Sequence, residues 1–144
     1  EPYLIEFNVR MGDPECQTIL PILDTDLAEI ILACCNKKLQ DIDIKWKNKK
    51  SVCIVLCSNG YPDSYKKNII INGLKNLKID RNEYIFHAGT IIKDDKYLAI
   101  GGRVLNIIVT TENFKNSKDK AIKILNDLDW KDGFFRKDIA YKVT

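Results

Sequence analysis

The chain has 144 residues, 45% hydrophobic and 30% charged, which are globular values at a length that can bury one adequate core. Its 23 basic and 20 acidic residues leave a net charge of +3 with the lysines spread along the chain, which argues against a nucleic-acid partner. The sequence shows neither an apolar run long enough to cross a membrane nor a signal-peptide pattern, so a soluble protein with no membrane partner is expected.

Residues 4–10 alternate. Leu4, Glu6, Asn8 and Arg10 fall on one side of an extended strand, and Ile5, Phe7 and Val9 on the other, which reads as core-facing. Glu6 and Asn8 offer two oxygen donors on one face, as a hard cation such as magnesium requires. Arg10, one step further, suits an anion held bidentately. Asp13 is a good N-cap and Pro14 suits the first helical position, so a helix N-terminus is expected to point its free N–H groups toward Arg10. Spacing alone fits an ordinary edge strand capped into an ordinary helix equally well.

A short helix is expected over residues 13–20, ended or kinked by Pro21. Asp24, Thr25 and Asp26 supply a new cap, and Leu27, Ile30, Ile31 and Cys34 follow at helical spacing toward Lys38. Residues 39–50 are polar, with Trp46 as their one large anchor and alternation over 41–45 that allows a short strand. A boundary is placed here, giving parts 1–50 and 51–144.

Residues 51–57 form a compact Val- and Ile-rich run that reads as a buried strand, and residues 59–63 are a turn cluster. Residues 84–87 read as a strand, 93–96 as a hairpin turn, 97–100 as its return, and 103–110 as a further strand after Gly101 and Gly102. Phe114, Ala121, Ile122, Leu125 and Leu128 recur at helical spacing over 112–128, and residues 134–142 read as a short final strand or extended segment. The fold class is therefore α+β: a mostly antiparallel sheet with one long helix.

The five cysteines, Cys16, Cys34, Cys35, Cys53 and Cys57, are odd in number and match no zinc spacing. They read as buried, reduced thiols, which fits a reducing cytoplasm. His87, the one histidine, reads as a satisfied structural residue; pairing it with Cys53 or Cys57 as a thiol nucleophile is possible but nothing in the spacing requires it. Gly102 lets a ligand approach the backbone and Arg103 can hold a phosphate, although a hairpin bulge with an exposed Arg fits as well. Arg136 and Lys137 read as a solvated face.

The run Glu6-Phe7-Asn8-Val9-Arg10-Met11-Gly12-Asp13-Pro14-Glu15-Cys16-Gln17 resembles the signature of the phosphoribosylamine–glycine ligases (glycinamide ribonucleotide synthetases), ATP-grasp enzymes of purine synthesis, with Met11 where that family more often has Phe. The likeness continues in order through Gly60-Tyr61-Pro62, His87-Ala88-Gly89-Thr90, Gly101-Gly102-Arg103-Val104-Leu105 and Arg136-Lys137-Asp138-Ile139. It spans the whole chain but only the last third of such an enzyme. The resemblance implies a C-terminal piece: residues 1–50 the end of an ATP-grasp domain carrying a metal-binding strand and two helices, residues 51–144 a small α+β domain. It implies Glu6 and Asn8 as ligands of magnesium or manganese, with ATP as co-substrate, and Arg10 at the transferred phosphate or the glycine carboxylate. Asp13 is left with two roles, helix cap and receiver of the glycine ammonium, and Gly102 and Arg103 are placed at the phosphate of 5-phosphoribosylamine. The implied partners are ATP, glycine, 5-phosphoribosylamine and the N-terminal part of the same enzyme, in the cytoplasm. The alternative is a non-catalytic binding or assembly module. Without a glycine-rich nucleotide lid, the 144 residues alone are expected not to turn over.

Overall fold

The computed structural model describes residues 1–144. In chain order its elements are α1 (Glu15–Ile19), a 3-10 turn (Leu20–Ile22), α2 (Leu27–Cys35) and a second 3-10 turn (Leu39–Asp41). These precede β1 (Lys50–Ser58), β2 (Ile69–Ile70), a third 3-10 turn (Leu74–Asn76), β3 (Glu83–His87), β4 (Thr90–Lys93) and β5 (Lys96–Ala99). β6 (Arg103–Thr111), α3 (Phe114–Leu128) and β7 (Gly133–Phe134) complete the chain. One sheet has the order β3-β6-β1-β7 and the other β2-β5-β4, and every pairing is antiparallel. The α+β class expected from the sequence is what forms.

The centre is the β1–β6 pair, in register from Lys50 against Thr111 to Cys57 against Arg103, with a bulge between Leu56 and Cys57. Both strands are rich in β-branched and aliphatic residues, which suits strands buried on both faces. On one face Val52, Ile54 and Leu56 meet α3 through Ala121, Ile124, Leu125 and Leu128. Asn113 caps α3, its side chain accepting from the Asn116 N–H at 2.8 Å, and Asp129 ends it at φ 46°. Ser117, fully buried, fastens the helix to the sheet. Its hydroxyl donates to the Lys50 carbonyl at 2.8 Å and accepts the Thr111 N–H at 3.0 Å.

β3 and β4 are one strand bent at Ala88 and Gly89, and β5 and β6 are its partner bent at residues 100–102. The hairpin turn between them has Asp94 and Asp95 both at positive φ, 48° and 59°, as a tight two-residue turn demands. At the bend the two chains touch backbone to backbone: Gly89 donates to the Arg103 carbonyl at 2.9 Å, and Ile100 donates to the Gly89 carbonyl at 2.8 Å. A Cβ on Gly89 would sit 2.5 Å from the Gly101 Cα. The His87-Ala88-Gly89-Thr90 motif is thus a bend that joins two sheets. His87 itself is exposed, with Nδ1 2.8 Å from the Thr90 hydroxyl and its ring stacked on Tyr97.

Several expectations for the first fifty residues are corrected. Residues 4–10 form no hydrogen-bonded strand. Ile5, Phe7 and Val9, read as core-facing, are 93%, 84% and 102% exposed, because no other strand of this chain lies beside them to take their N–H and C=O groups. α2 ends at Cys35, short of Lys38. Cys34 and Cys35 are exposed, because nothing in the chain packs on that side of α2. Residues 41–45 form no strand; Trp46 makes a single bridge to Leu23 and is half exposed, so it is not a buried anchor. Asp26 does cap α2, accepting from the Ala28 N–H at 2.7 Å, and α1 stops before Pro21. At the other end only Gly133 and Phe134 join the sheet, and the rest of 134–142 is irregular at 135–136 and turns beyond.

Because Gly89 has no room for a side chain, Gly89→Ala should destabilise by about 1–3 kcal/mol through overpacking against backbone that cannot move aside. Urea unfolding followed by circular dichroism measures this; an unchanged midpoint would show that the bend can open.

Candidate functional site

The bulge after Leu56 and the bend at residues 100–102 deliver Arg103 to the end of the central pair, opposite Cys57. Gly102 precedes it with no room for a side chain, since a Cβ there would fall on the Tyr61 ring. Ser58 holds the same corner, its N–H donating to the Gly102 carbonyl at 2.8 Å and its hydroxyl to the Gly101 carbonyl at 2.9 Å. The pair of glycines is therefore a close-packed corner that fixes where the Arg103 side chain starts.

From the other end of the sequence, Asp13 arrives at this point. Arg103 Nη1 donates to the Asp13 main-chain oxygen at 3.0 Å, and Nη2 lies 3.0 Å from the Asp13 Oδ2. Asp13 Oδ1 accepts from the Gln17 side-chain amide at 2.7 Å. Asp13 is accordingly not the helix cap: its side chain turns to Arg103 and Gln17, Pro14 takes the cap position with no side-chain bond, and the Asp13–Pro14 peptide is cis. Glu15 instead reaches back to the Gly12 N–H at 3.1 Å. Both partners of the ion pair are about 40% exposed. Such a pair contributes about 0–1 kcal/mol to stability, too little to be needed for the fold. Its effect is on geometry.

The remaining candidates are not gathered. The Glu6 and Asn8 side chains are exposed and make no hydrogen bond or ion pair, and Arg10 donates to the neighbouring Met11 carbonyl at 2.8 Å. No cluster of three or more His, Cys, Asp or Glu residues gathers as a metal cage. One carboxylate and one carboxamide oxygen, both open to a ligand, fit a hard cation that takes its other ligands elsewhere.

Beside the Asp13–Arg103 contact lies a largely apolar cavity of about 400 Å³, lined among others by Pro14, Cys53, Cys57, Tyr61, Phe135 and Arg136. The sequence did not announce it, because its walls come from four separate stretches. Burial pushes the Cys53 thiol up to about 12, with the nearby Asp13 carboxylate adding to the shift and the Thr18 hydroxyl opposing it. Burial also raises Cys57, while the Arg103 charge works the other way. Neither thiol is poised as a nucleophile. Arg136 is exposed and paired with Asp138, Nε to Oδ1 at 3.0 Å.

Residues 51–142 match the family of the phosphoribosylglycinamide synthetase C domain. The chain belongs to this family. It is 41% identical to the phosphoribosylamine–glycine ligase of Caldanaerobacter subterraneus over 96% of its own length and 33% of the relative's. It is 42% identical to the bifunctional purine biosynthetic protein purD of Dictyostelium discoideum over 97% of its length and 17% of that protein's. The crystal structure of the Thermotoga maritima phosphoribosylamine–glycine ligase superposes with a TM-score of 0.71 and 29% identity, over 97% of this chain and 34% of that one. The chain thus spans about a third of the ligases it matches. No helix of the chain is long and apolar enough to cross a membrane.

The thiol environments make a reactivity prediction. Iodoacetamide at pH 8 should label Cys34 and Cys35 and leave Cys53 unlabelled until urea is added, as peptide mass spectrometry would read; early labelling of Cys53 would contradict its burial. Above pH 9 the unfolded chain gives up the Cys53 proton and the folded chain does not, so this group favours unfolding increasingly up to about pH 12.

Proposed function

We propose that this chain is the C-terminal part of an ATP-dependent ligase that joins glycine to 5-phosphoribosylamine, giving glycinamide ribonucleotide, ADP and phosphate in de novo purine synthesis. The observation that carries the reading is the family match over residues 51–142, with relatives of that activity aligned along nearly the whole chain. In this reading ATP phosphorylates the glycine carboxylate, and the amine of phosphoribosylamine displaces the phosphate from the glycyl phosphate. Two anions must meet in the first step, so cationic and N–H donors at the site lower its barrier.

Glu6 and Asn8 would hold magnesium or manganese, which when bound would supply charge neutralisation for the phosphates. Their exposure, with no internal partner, supports that role. Arg10 neutralises the transferred phosphate or the glycine carboxylate. Arg103 binds the phosphate of phosphoribosylamine, with the Gly102 backbone close by. Of the five N–H groups of a guanidinium, one on each terminal nitrogen of Arg103 is turned to Asp13, so the others are available to an anion. Residues 1–50 are the end of the ATP-grasp domain and residues 51–144 the C-terminal domain, and the partner they need is the N-terminal part of the ligase. A reducing compartment such as the cytoplasm accords with five free cysteines.

In a full-length ligase, Glu6→Gln should cut turnover at fixed magnesium by about 100-fold, with the melting temperature unchanged; unaltered turnover removes Glu6 from the metal site. Arg103→Ala should raise the KM for phosphoribosylamine by about tenfold or more, well beyond any change for ATP or glycine. Equal effects on all three substrates would make Arg103 structural. The 144 residues alone should form no glycinamide ribonucleotide from the three substrates.

A further inference from the structure

We infer that Asp13 is a positioning residue for Arg103 and not a ligand of the glycine ammonium. The inference rests on the reading of Arg103 as the cation that binds the ribonucleotide phosphate.

The Asp13 carboxylate is committed on both oxygens, Oδ1 to the Gln17 amide at 2.7 Å and Oδ2 to Arg103 Nη2 at 3.0 Å. A third contact comes from its main-chain oxygen, 3.0 Å from Nη1. Two points on one residue against the two terminal nitrogens fix the plane of the guanidinium, which a single contact would leave free to turn. An arginine held this way gives up little further rotamer freedom when an anion arrives. Gln17, in α1, holds the carboxylate from the far side, so the clamp has a support of its own. The close packing of Gly102 under Tyr61 fixes the arginine backbone, and Asp13 fixes its tip.

The clamp also crosses the molecule. It is the one ion pair between residues 1–49 and the sheet that follows. Asp13 lies three residues after Arg10 and seven after Glu6, on the segment assigned to the metal and the transferred phosphate. Joining that segment to Arg103 sets the distance between the activated glycine and the incoming amine. Such spacing is what a ligation between two bound partners demands.

The test is a double-mutant cycle on Asp13→Asn and Arg103→Ala in a full-length ligase carrying these residues, with KM read separately for phosphoribosylamine, ATP and glycine. Asp13→Asn keeps the shape and removes the charge. It should raise the KM for phosphoribosylamine by about fivefold to tenfold and leave those for ATP and glycine within about twofold. In the Arg103→Ala background it should add less than about twofold, because the residue it positions is gone. Asp13→Glu, which keeps the carboxylate, should recover part of the loss and guards against a variant that merely unfolds.

A rise in the glycine KM as the main effect of Asp13→Asn would overturn the inference and return Asp13 to the ammonium. So would equal factors with and without Arg103, a loss in Asp13→Glu as large as in Asp13→Asn, or no effect at all. If Arg103→Ala alone leaves the phosphoribosylamine KM unchanged, the phosphate reading fails first and the inference with it. If Arg103→Ala acts selectively while Asp13→Asn does not, only the positioning role is lost.

Discussion

The pairing of β1 with β6 is the constraint on which the rest of the molecule depends. Ile54 faces Ile107 at its middle, both fully buried, and the strands bury side chains on both faces. Fully burying a side chain of this size is favourable by about 1.5–3 kcal/mol, so the pair dominates the core. α3 lies across one face of it. The hairpin that runs from β3 to β6 is tied to it through β6. Its far end, where the bulge shifts the register, is where Arg103 emerges. A change that loosened the pairing would move the arginine before it reached any other candidate residue.

That corner also shows how a weak interaction can matter. The Asp13–Arg103 pair is worth little to folding, being part-exposed. It nevertheless joins residues 90 positions apart and fixes the direction of the one cation placed at the paired glycines. The glycines are required by contact: Gly89 against Gly101 closes the bend, and Gly102 against Tyr61 sets the corner. These close approaches account for motifs that a reading for ligands alone would assign to a substrate. His87-Ala88-Gly89-Thr90 serves the sheet junction.

What was legible in the sequence was what local patterning determines. The β-branched runs of β1 and β6, the helical spacing of α3, the Asp26 cap and the turn at residues 93–96 all act within a few residues of themselves. The misreadings have a common physical origin in distant partners. Residues 4–10 alternate as a strand should, but a strand needs a neighbour to accept its main-chain bonds, and this chain does not provide one. Asp13-Pro14 has the composition of a cap, but the carboxylate is taken by an arginine far along the chain. Cys34 and Cys35 sit in an apolar helical pattern whose outer side, with Ile31 and Leu32, stays exposed. The candidate residues stand out by alternation and by family resemblance; geometry joins two of them, Asp13 and Arg103, which no spacing rule would pair.

The most direct test is a crystal structure of a full-length ligase carrying these residues, with glycinamide ribonucleotide bound. The account requires a phosphate oxygen at about 2.7–2.9 Å from the Arg103 guanidinium, with Asp13 still on its other edge. A phosphate bound elsewhere, with Arg103 facing solvent or held by Asp13 alone, would contradict it and leave Gly102-Arg103 a corner of the sheet.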